Sequence, residues 1–176
     1  MRRTTATPDY LKESMGTALL ALMKEKPFEK ITIEEMTAKA DVGRSTYFRY
    51  FKTKEEVLAY KLAAIYSSSF PHDIRPVDTV SELMNIIEQF FSFWLSIRDT
   101  VDPIVASGHS DVLSMAYSQI VGNIRFPAEQ EYINRFVLAG LFGVHHGWVT
   151  NGYRESPEEL ARGIVHKVFR FFQQTD

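Results

Sequence analysis

The residues with chemistry to offer are crowded into one stretch, ADVGRSTYFRYFKTKEE, Ala40 to Glu56. Here Arg44, Arg49, Lys52 and Lys54 are interleaved with the rings of Tyr47, Phe48, Tyr50 and Phe51, beside the small or hydroxylated Gly43, Ser45 and Thr46. Such a set suits an anionic polymer that also has readable edges, because guanidinium grips guanine O6 and N7 while hydroxyls take phosphate oxygens. The rings answer a different need. A helix of two turns does not hold itself together in water, so one side of it must be pinned by large buried groups. Tyr47 and Phe51, four residues apart, fall on that side together with Val42; Arg44, Ser45, Thr46, Phe48 and Tyr50 are left facing outward. Lys52 and Lys54 come at the following turn, where free amides at the start of the next helix suit a phosphate.

Other chemistries lack their residues. The chain has no cysteine, which removes disulfides, thiolate nucleophiles and thiolate metal sites. His145 and His146 are adjacent and point about 100° apart on a helix, the wrong spacing for a shared metal, and His72, His109 and His166 are scattered singles. There is no nucleophile elbow, phosphate-cradling glycine loop or dinucleotide fingerprint. The expectation is a protein that is not an enzyme and holds no metal or cofactor.

The elements that must position the cationic stretch all read as helices, with no two-residue alternation or hairpin turn signals. Thr7 caps a helix that opens at Pro8 and buries Leu11, Met15, Ala18, Leu19 and Leu22 before Pro27 stops it. Thr32 and Glu35 stand at capping-box spacing at the start of a short second helix whose face is Ile33, Met36 and Ala40. A short third helix runs from about Arg44 to Phe51, and Thr53 with Glu56 opens a fourth, continuing through about Ser67. Two short helices joined by a tight turn, the second basic and aromatic, is the sequence form of a helix-turn-helix, with Thr32 on the nucleic-acid side of the first helix.

A polar, proline-containing connector, Ser67 to Asp78, separates this region from longer helices. Those read as residues 81–97, a short helical turn in DPIVASG, residues 110–124, a long helix within 128–155, and a last one opened by Ser156-Pro157-Glu158-Glu159. The fold class is all-α with about nine helices: an N-terminal domain at 1–55, continuing into a connecting helix at 54–67, and a second domain at 68–176. Charge follows the same division. The first sixty residues hold 11 Lys and Arg against 9 Asp and Glu, net +2, and the rest hold 9 against 13, net −4. Arg2 and Arg3 make a basic N-terminal arm of the kind that reaches a minor groove. No apolar run has the length of a membrane span, so a soluble cytoplasmic protein is expected.

In TIEEMTAKADVGRSTYFRYFKTKEEVL the chain resembles the tetracycline-repressor (TetR) family of bacterial transcription regulators, whose usual pattern is T-x-x-x-I-A-x-x-A-G-V-S-x-G-T-x-Y-x-Y/H-F-x-S-K-E-x-L. The match spans about Phe28 to Leu62. Three positions depart. Asp41 replaces the turn glycine, Gly43 replaces the serine cap of the recognition helix, and the order of the rings is reversed, with Tyr47 inward and Phe48 where the phosphate-binding tyrosine usually sits. Phe48 then touches a thymine methyl or a sugar, with Tyr50 supplying the phosphate hydrogen bond. The resemblance implies a sequence-specific regulator, with repression the expected sense, bound as a homodimer to a palindromic operator in double-stranded DNA. Thr32, Arg44, Ser45, Thr46, Phe48, Tyr50, Lys52 and Lys54 form its DNA-binding set. A small-molecule effector or a protein partner shifts the spacing of the two recognition helices, the hinge being the helix from Thr53 and the connector after it. The alternative on the same fold is a protein-interaction adaptor without DNA binding.

The second domain has its own reason to need a partner. Leu160, Ile164, Val168 and Phe171 form one apolar stripe of the last helix, and Ala161, Val165, Phe169 and Phe172 an adjacent one, too wide a face for one neighbour. Gly140, Gly143 and Gly147 clear a groove on the preceding helix, at a cost of about 1 kcal/mol each relative to alanine. A two-fold four-helix bundle explains both, placing Gly140, Gly143, Gly147, Ile164, Val168, Phe171 and Phe172 at the dimer interface. Phe90, Trp94, Met115, Tyr117, Phe142 and His146, amphipathic groups between these helices, are the candidates for an effector pocket.

Overall fold

The computed structural model describes residues 7–70, 77 and 79–173, with side chains as far as Lys167. Among the described residues there are nine α-helices and no extended strand: α1 (Pro8–Met23), α2 (Ile33–Lys39), α3 (Arg44–Tyr50), α4 (Lys54–Ser69), α5 (Val80–Ser96), α6 (Arg98–Ala106), α7 (Asp111–Asn123), α8 (Glu131–Thr150) and α9 (Pro157–Gln173). Short 3₁₀ turns at Phe28–Lys30 and Ala128–Gln130 join α1 to α2 and lead into α8. The all-α fold class is therefore as expected. Arg2 and Arg3, and most of the connector after α4, lie outside the described residues.

The chain divides into two compact units, one of residues 1–72 and 103–123 and the other of 73–102 and 124–176. The segment 103–123, placed by sequence in the second domain, thus packs with the N-terminal helices. The reason is in α4: Val57, Leu58, Ala59, Leu62, Ala63 and Tyr66 are all buried, more than one neighbouring helix can cover. α1 lies against one side of it through Met15, Ala18, Leu19 and Leu22, and α7 against the other through Val112, Leu113, Ala116, Tyr117 and Ile120. Gly16 sets the spacing of α1 and α4, since a Cβ there would stand 2.8 Å from Lys61 Cβ. Lys61 closes the same seam with an ion pair to Glu13.

The turn between α6 and α7 reaches the 3₁₀ turn of the same unit. Gly108 takes the left-handed conformation (φ +84°) that ends α6. The His109 ring then stands edge-on to Phe28 at 4.9 Å, with Nε2 3.5 Å from Glu29 Oε1. α6 itself starts earlier than the proline in DPIVASG suggests, because the Ile97 carbonyl accepts from the amides of both Thr100 and Val101 and nucleates the helix ahead of Pro103.

In the second unit α5, α8 and α9 contribute Ile87, Phe90, Phe91 and Trp94, then Leu138, Leu141, Phe142, His145, Trp148 and Val149, then Ala161 and Val165 to a core. α5 opens on a capping box at Thr79 and Glu82. The α8–α9 turn is fixed by three bonds. Trp148 Nε1 donates to the Glu155 carbonyl (3.0 Å), Tyr153 OH donates to Asp102 Oδ1 (2.6 Å), and the Ser156 amide donates to Glu159 Oε2 (2.7 Å), the last being half of the capping box expected from sequence.

Candidate nucleic-acid interface

The first helix of the motif is built as its sequence dictates. Thr32 Oγ1 accepts from the Glu35 amide (3.1 Å) and the Thr32 amide donates to Glu35 Oε2 (2.9 Å). Lys26, pairing with the same carboxylate, and then the Thr32 bonds hold the Glu35 carboxyl down to about 2, so the box stays closed at any physiological pH. α2 ends where Asp41 takes φ +53°, a left-handed conformation that an aspartate tolerates better than most residues, and the Val42 amide closes the turn onto the Thr37 carbonyl at 3.0 Å. Thr37, buried, returns its hydroxyl to the Ile33 carbonyl (2.9 Å). The turn glycine of the family pattern is dispensable here because Asp41 adopts the conformation it would supply.

α3 then begins at Gly43, which caps it without a side-chain bond. Tyr47 is fully buried and Phe51 nearly so, while Val42 is only half-buried. Their rings form a contiguous ladder: Tyr47 to Phe51 at 6.3 Å, Phe51 to Tyr60 of α4 at 5.9 Å, and Lys12 of α1 above Tyr60 at 4.8 Å. On the opposite side Arg44, Ser45 and Phe48 are exposed and Thr46 is half-exposed. This is the division between anchoring and outward faces that the four-residue spacing predicts. Thr32 is exposed at the start of α2.

Arg44 is not free on its surface. Its Nη1 lies 2.7 Å from Glu34 Oε1 of α2, and its guanidinium carbon 5.5 Å from the centre of the Phe48 ring. Glu34 went unremarked in the sequence because a carboxylate ten residues upstream gives no sign that the turn will fold it back against Arg44. Arg49, exposed in the last turn of α3, is a further cation that the sequence reading did not include.

Two of the expected phosphate contacts are otherwise engaged. Lys54 turns inward: its Nζ donates to the carbonyls of Phe28 (2.8 Å) and Ile31 (2.6 Å) and sits 4.6 Å above the Phe28 ring. Burial pushes its ammonium down, against the pull of Glu55, Glu29 and Glu35. At the start of α4 the Thr53 hydroxyl accepts from the Glu56 amide (3.2 Å), but the Glu56 carboxylate bonds the Lys52 amide (2.6 Å) rather than that of Thr53. A carboxylate of the chain itself thus stands at the helix terminus where a phosphate was expected. The Lys52 side chain is exposed there. Tyr50 is half-buried and lines an open hollow of about 480 Å³ with Lys12, Phe51, Glu56, Tyr60, Met115, Ser118 and Gln119.

The six pocket candidates fall in different places. Phe90, Trp94 and Phe142 belong to one ring cluster, with Phe90 5.4 Å from Phe142 and 6.4 Å from Trp94. The histidine at its centre is His145, 4.6 Å from Trp94, with a pKa lowered to about 3 by burial and then by the neighbouring His146; His146 itself is half-buried. Met115 and Tyr117 lie on α7 in the other compact unit, Met115 at the hollow and Tyr117 buried against α4.

Of the dimer candidates, Gly140 and Gly143 are exposed and Gly147 and Ile164 half-buried. A Cβ added at any of the three glycines meets nothing within 4 Å among the described residues. Tyr132, Ile133, Phe136, Val137 and Val144 are exposed on the same helix. The side chains of Val168, Phe171 and Phe172 lie outside the described residues. Among the described residues no group of three or more His, Cys, Asp or Glu is placed to hold a metal ion, and no helix is long and apolar enough to cross a membrane.

Fold and site together define an all-α protein with an N-terminal helix-turn-helix. Residues 17–60 match the family model described as bacterial regulatory proteins, tetR family, so the resemblance read from the sequence holds over the motif. No curated protein matches the chain. Among solved structures, the crystal structure of a tetR-family transcriptional regulator from Streptomyces coelicolor is similar over 89% of this chain and 79% of that one, with 20% identity and a TM-score of 0.45.

Proposed function

We propose that this protein is a DNA-binding regulator of transcription that grips a palindromic operator as a homodimer, in the sense of a repressor, and is released or modulated by a small-molecule effector or a protein partner. The observation that carries the reading is the two-sided α3. Tyr47, with Phe51 at the helix end, is buried toward α4 while Arg44, Ser45, Thr46 and Phe48 line the outward face of a helix of the right size for a major groove. Thr32 and Lys52 flank that face, and Arg49 adds a cation.

Dimerisation is supported by α8. Its exposed Tyr132, Ile133, Phe136, Val137 and Val144 make an apolar surface beside glycines that nothing among the described residues approaches, and a second helix bundle explains their cost. An effector acts by shifting the separation of two recognition helices that fit half-sites one helical turn apart in only one state. Its walls are proposed among Phe90, Trp94, Phe142 and His146.

Selection of bound duplexes from a random pool tests the reading, followed by affinity as a function of salt. A regulator selects a two-fold symmetric site, with log K falling by about 0.9 per log salt for each neutralised phosphate. An adaptor retains no duplex and associates with its partner independently of salt.

A further inference from the structure

We infer that Arg44 and Phe48 read one base-pair step as a unit: Arg44, braced by Glu34, takes a guanine, and Phe48 takes the C5 methyl of a thymine in the neighbouring pair. The inference rests on the proposed DNA binding and assigns the chemistry of its specificity.

Phe48 is 54% exposed, on the outward face of α3 one turn after Arg44. A large ring left open in a segment otherwise rich in cations and hydroxyls needs a partner, and a phenyl ring offers a phosphate no hydrogen bond. Among the groups that base edges present in the major groove, the thymine methyl is the one apolar group; the others are donors or acceptors. The chemistry of the ring therefore selects the base.

Arg44 fixes where that base must be. Its guanidinium carbon lies 5.5 Å from the Phe48 ring centre, within cation–π range. Nη1 is held at 2.7 Å by Glu34 Oε1. Paired through Nη1 with a carboxylate and lying over a ring, the guanidinium keeps its remaining N–H groups for a bidentate contact, whose preferred acceptors are guanine O6 and N7. A ring in contact with that guanidinium can reach only the adjoining pair. Tyr47 supports Phe48 from behind, edge-on at 5.0 Å, so the ring is positioned before DNA arrives.

The test replaces each thymine of the selected duplex, one at a time and symmetrically in both half-sites, by deoxyuridine, which removes the methyl and nothing else. Wild-type protein is expected to bind about tenfold to twentyfold more weakly when one thymine per half-site, next to a guanine, is replaced, about threefold to fivefold for each of the two methyls lost, and to be indifferent at the others. Phe48→Ala binds the unmodified duplex more weakly by a similar factor and does not respond to the replacement, whereas Phe48→Leu keeps a response. Glu34→Gln relaxes the preference for guanine at the neighbouring position. Indifference of the wild-type protein to methyl removal at every thymine overturns the inference, as does a methyl dependence that survives Phe48→Ala. If a symmetric, salt-dependent site is selected but shows no methyl dependence, the inference alone falls. If no duplex is selected at all, the DNA-binding reading falls with it.

Discussion

Tyr47 carries a hydroxyl in a place built for a phenyl ring, and removing it should stabilise the protein. The residue is fully buried, and its OH has no hydrogen-bond partner among the described residues. A buried, unmade hydroxyl bond costs about 1–3 kcal/mol, and deleting one oxygen from the packed ladder of Phe51 and Tyr60 returns only a small void as an offset. The expected net gain for Tyr47→Phe is about 1 kcal/mol at neutral pH. Burial also pushes the Tyr47 phenol up to about 12, Glu55 and Glu56 adding to the effect. A phenol raised in the folded state ionises first in the unfolded chain, so its share of stability is intact below about pH 10 and is lost between about 10 and 12. The advantage of Tyr47→Phe should therefore widen across that window. Both tryptophans, Trp94 and Trp148, lie outside the unit that holds α3, so their fluorescence is no local probe of it. Urea unfolding followed by far-UV circular dichroism at pH 7.5 and 11, or amide exchange of α3, reads it. A Tyr47→Phe protein less stable than wild type by more than about 0.5 kcal/mol at pH 7.5 would show that the hydroxyl has a partner and that the ladder argument is wrong.

Lys54→Met should cost about 1–3 kcal/mol by stranding the Phe28 and Ile31 carbonyls, yet leave the slope of log K against log salt unchanged; Lys52→Met should cost little stability and reduce that slope by about 1.8, or about 0.9 for each half of the dimer. Titration of the operator complex at several salt concentrations, with urea midpoints, separates the two, and a lowered slope for Lys54→Met refutes its inward role. Gly16→Ala should destabilise by about 1–3 kcal/mol through its Cβ against Lys61, visible in the same urea series. Gly140→Ala with Gly143→Ala should raise helix stability by about 1 kcal/mol per site, because nothing among the described residues meets the new methyls, while weakening self-association; sedimentation velocity and thermal melts measured together must move in opposite directions.

What the sequence makes legible is whatever depends on residues near one another in the chain. The boxes at Thr32 with Glu35 and at Ser156 with Glu159, and the split of α3 into buried and open faces, need only spacings of three and four. The box at Thr79 and Glu82 has the same spacing. Periodicity shows which face of a helix is apolar but not what covers it, so α7 counted as part of the second domain although its buried side meets α4. The departures at the candidate site arise where side chains meet backbone groups far along the chain. Lys54 has the residue type and position of a phosphate ligand, and only the direction of two carbonyls in the 3₁₀ turn, more than twenty residues earlier, claims its ammonium. Arg44 likewise reads as a free cation until the left-handed Asp41 folds α2 back and brings Glu34 to it. The turn that presents the outward face of α3 is thus also what orients its arginine, and an exchange at Asp41 that slackened the turn would be felt at Arg44 although Asp41 is itself no part of that face.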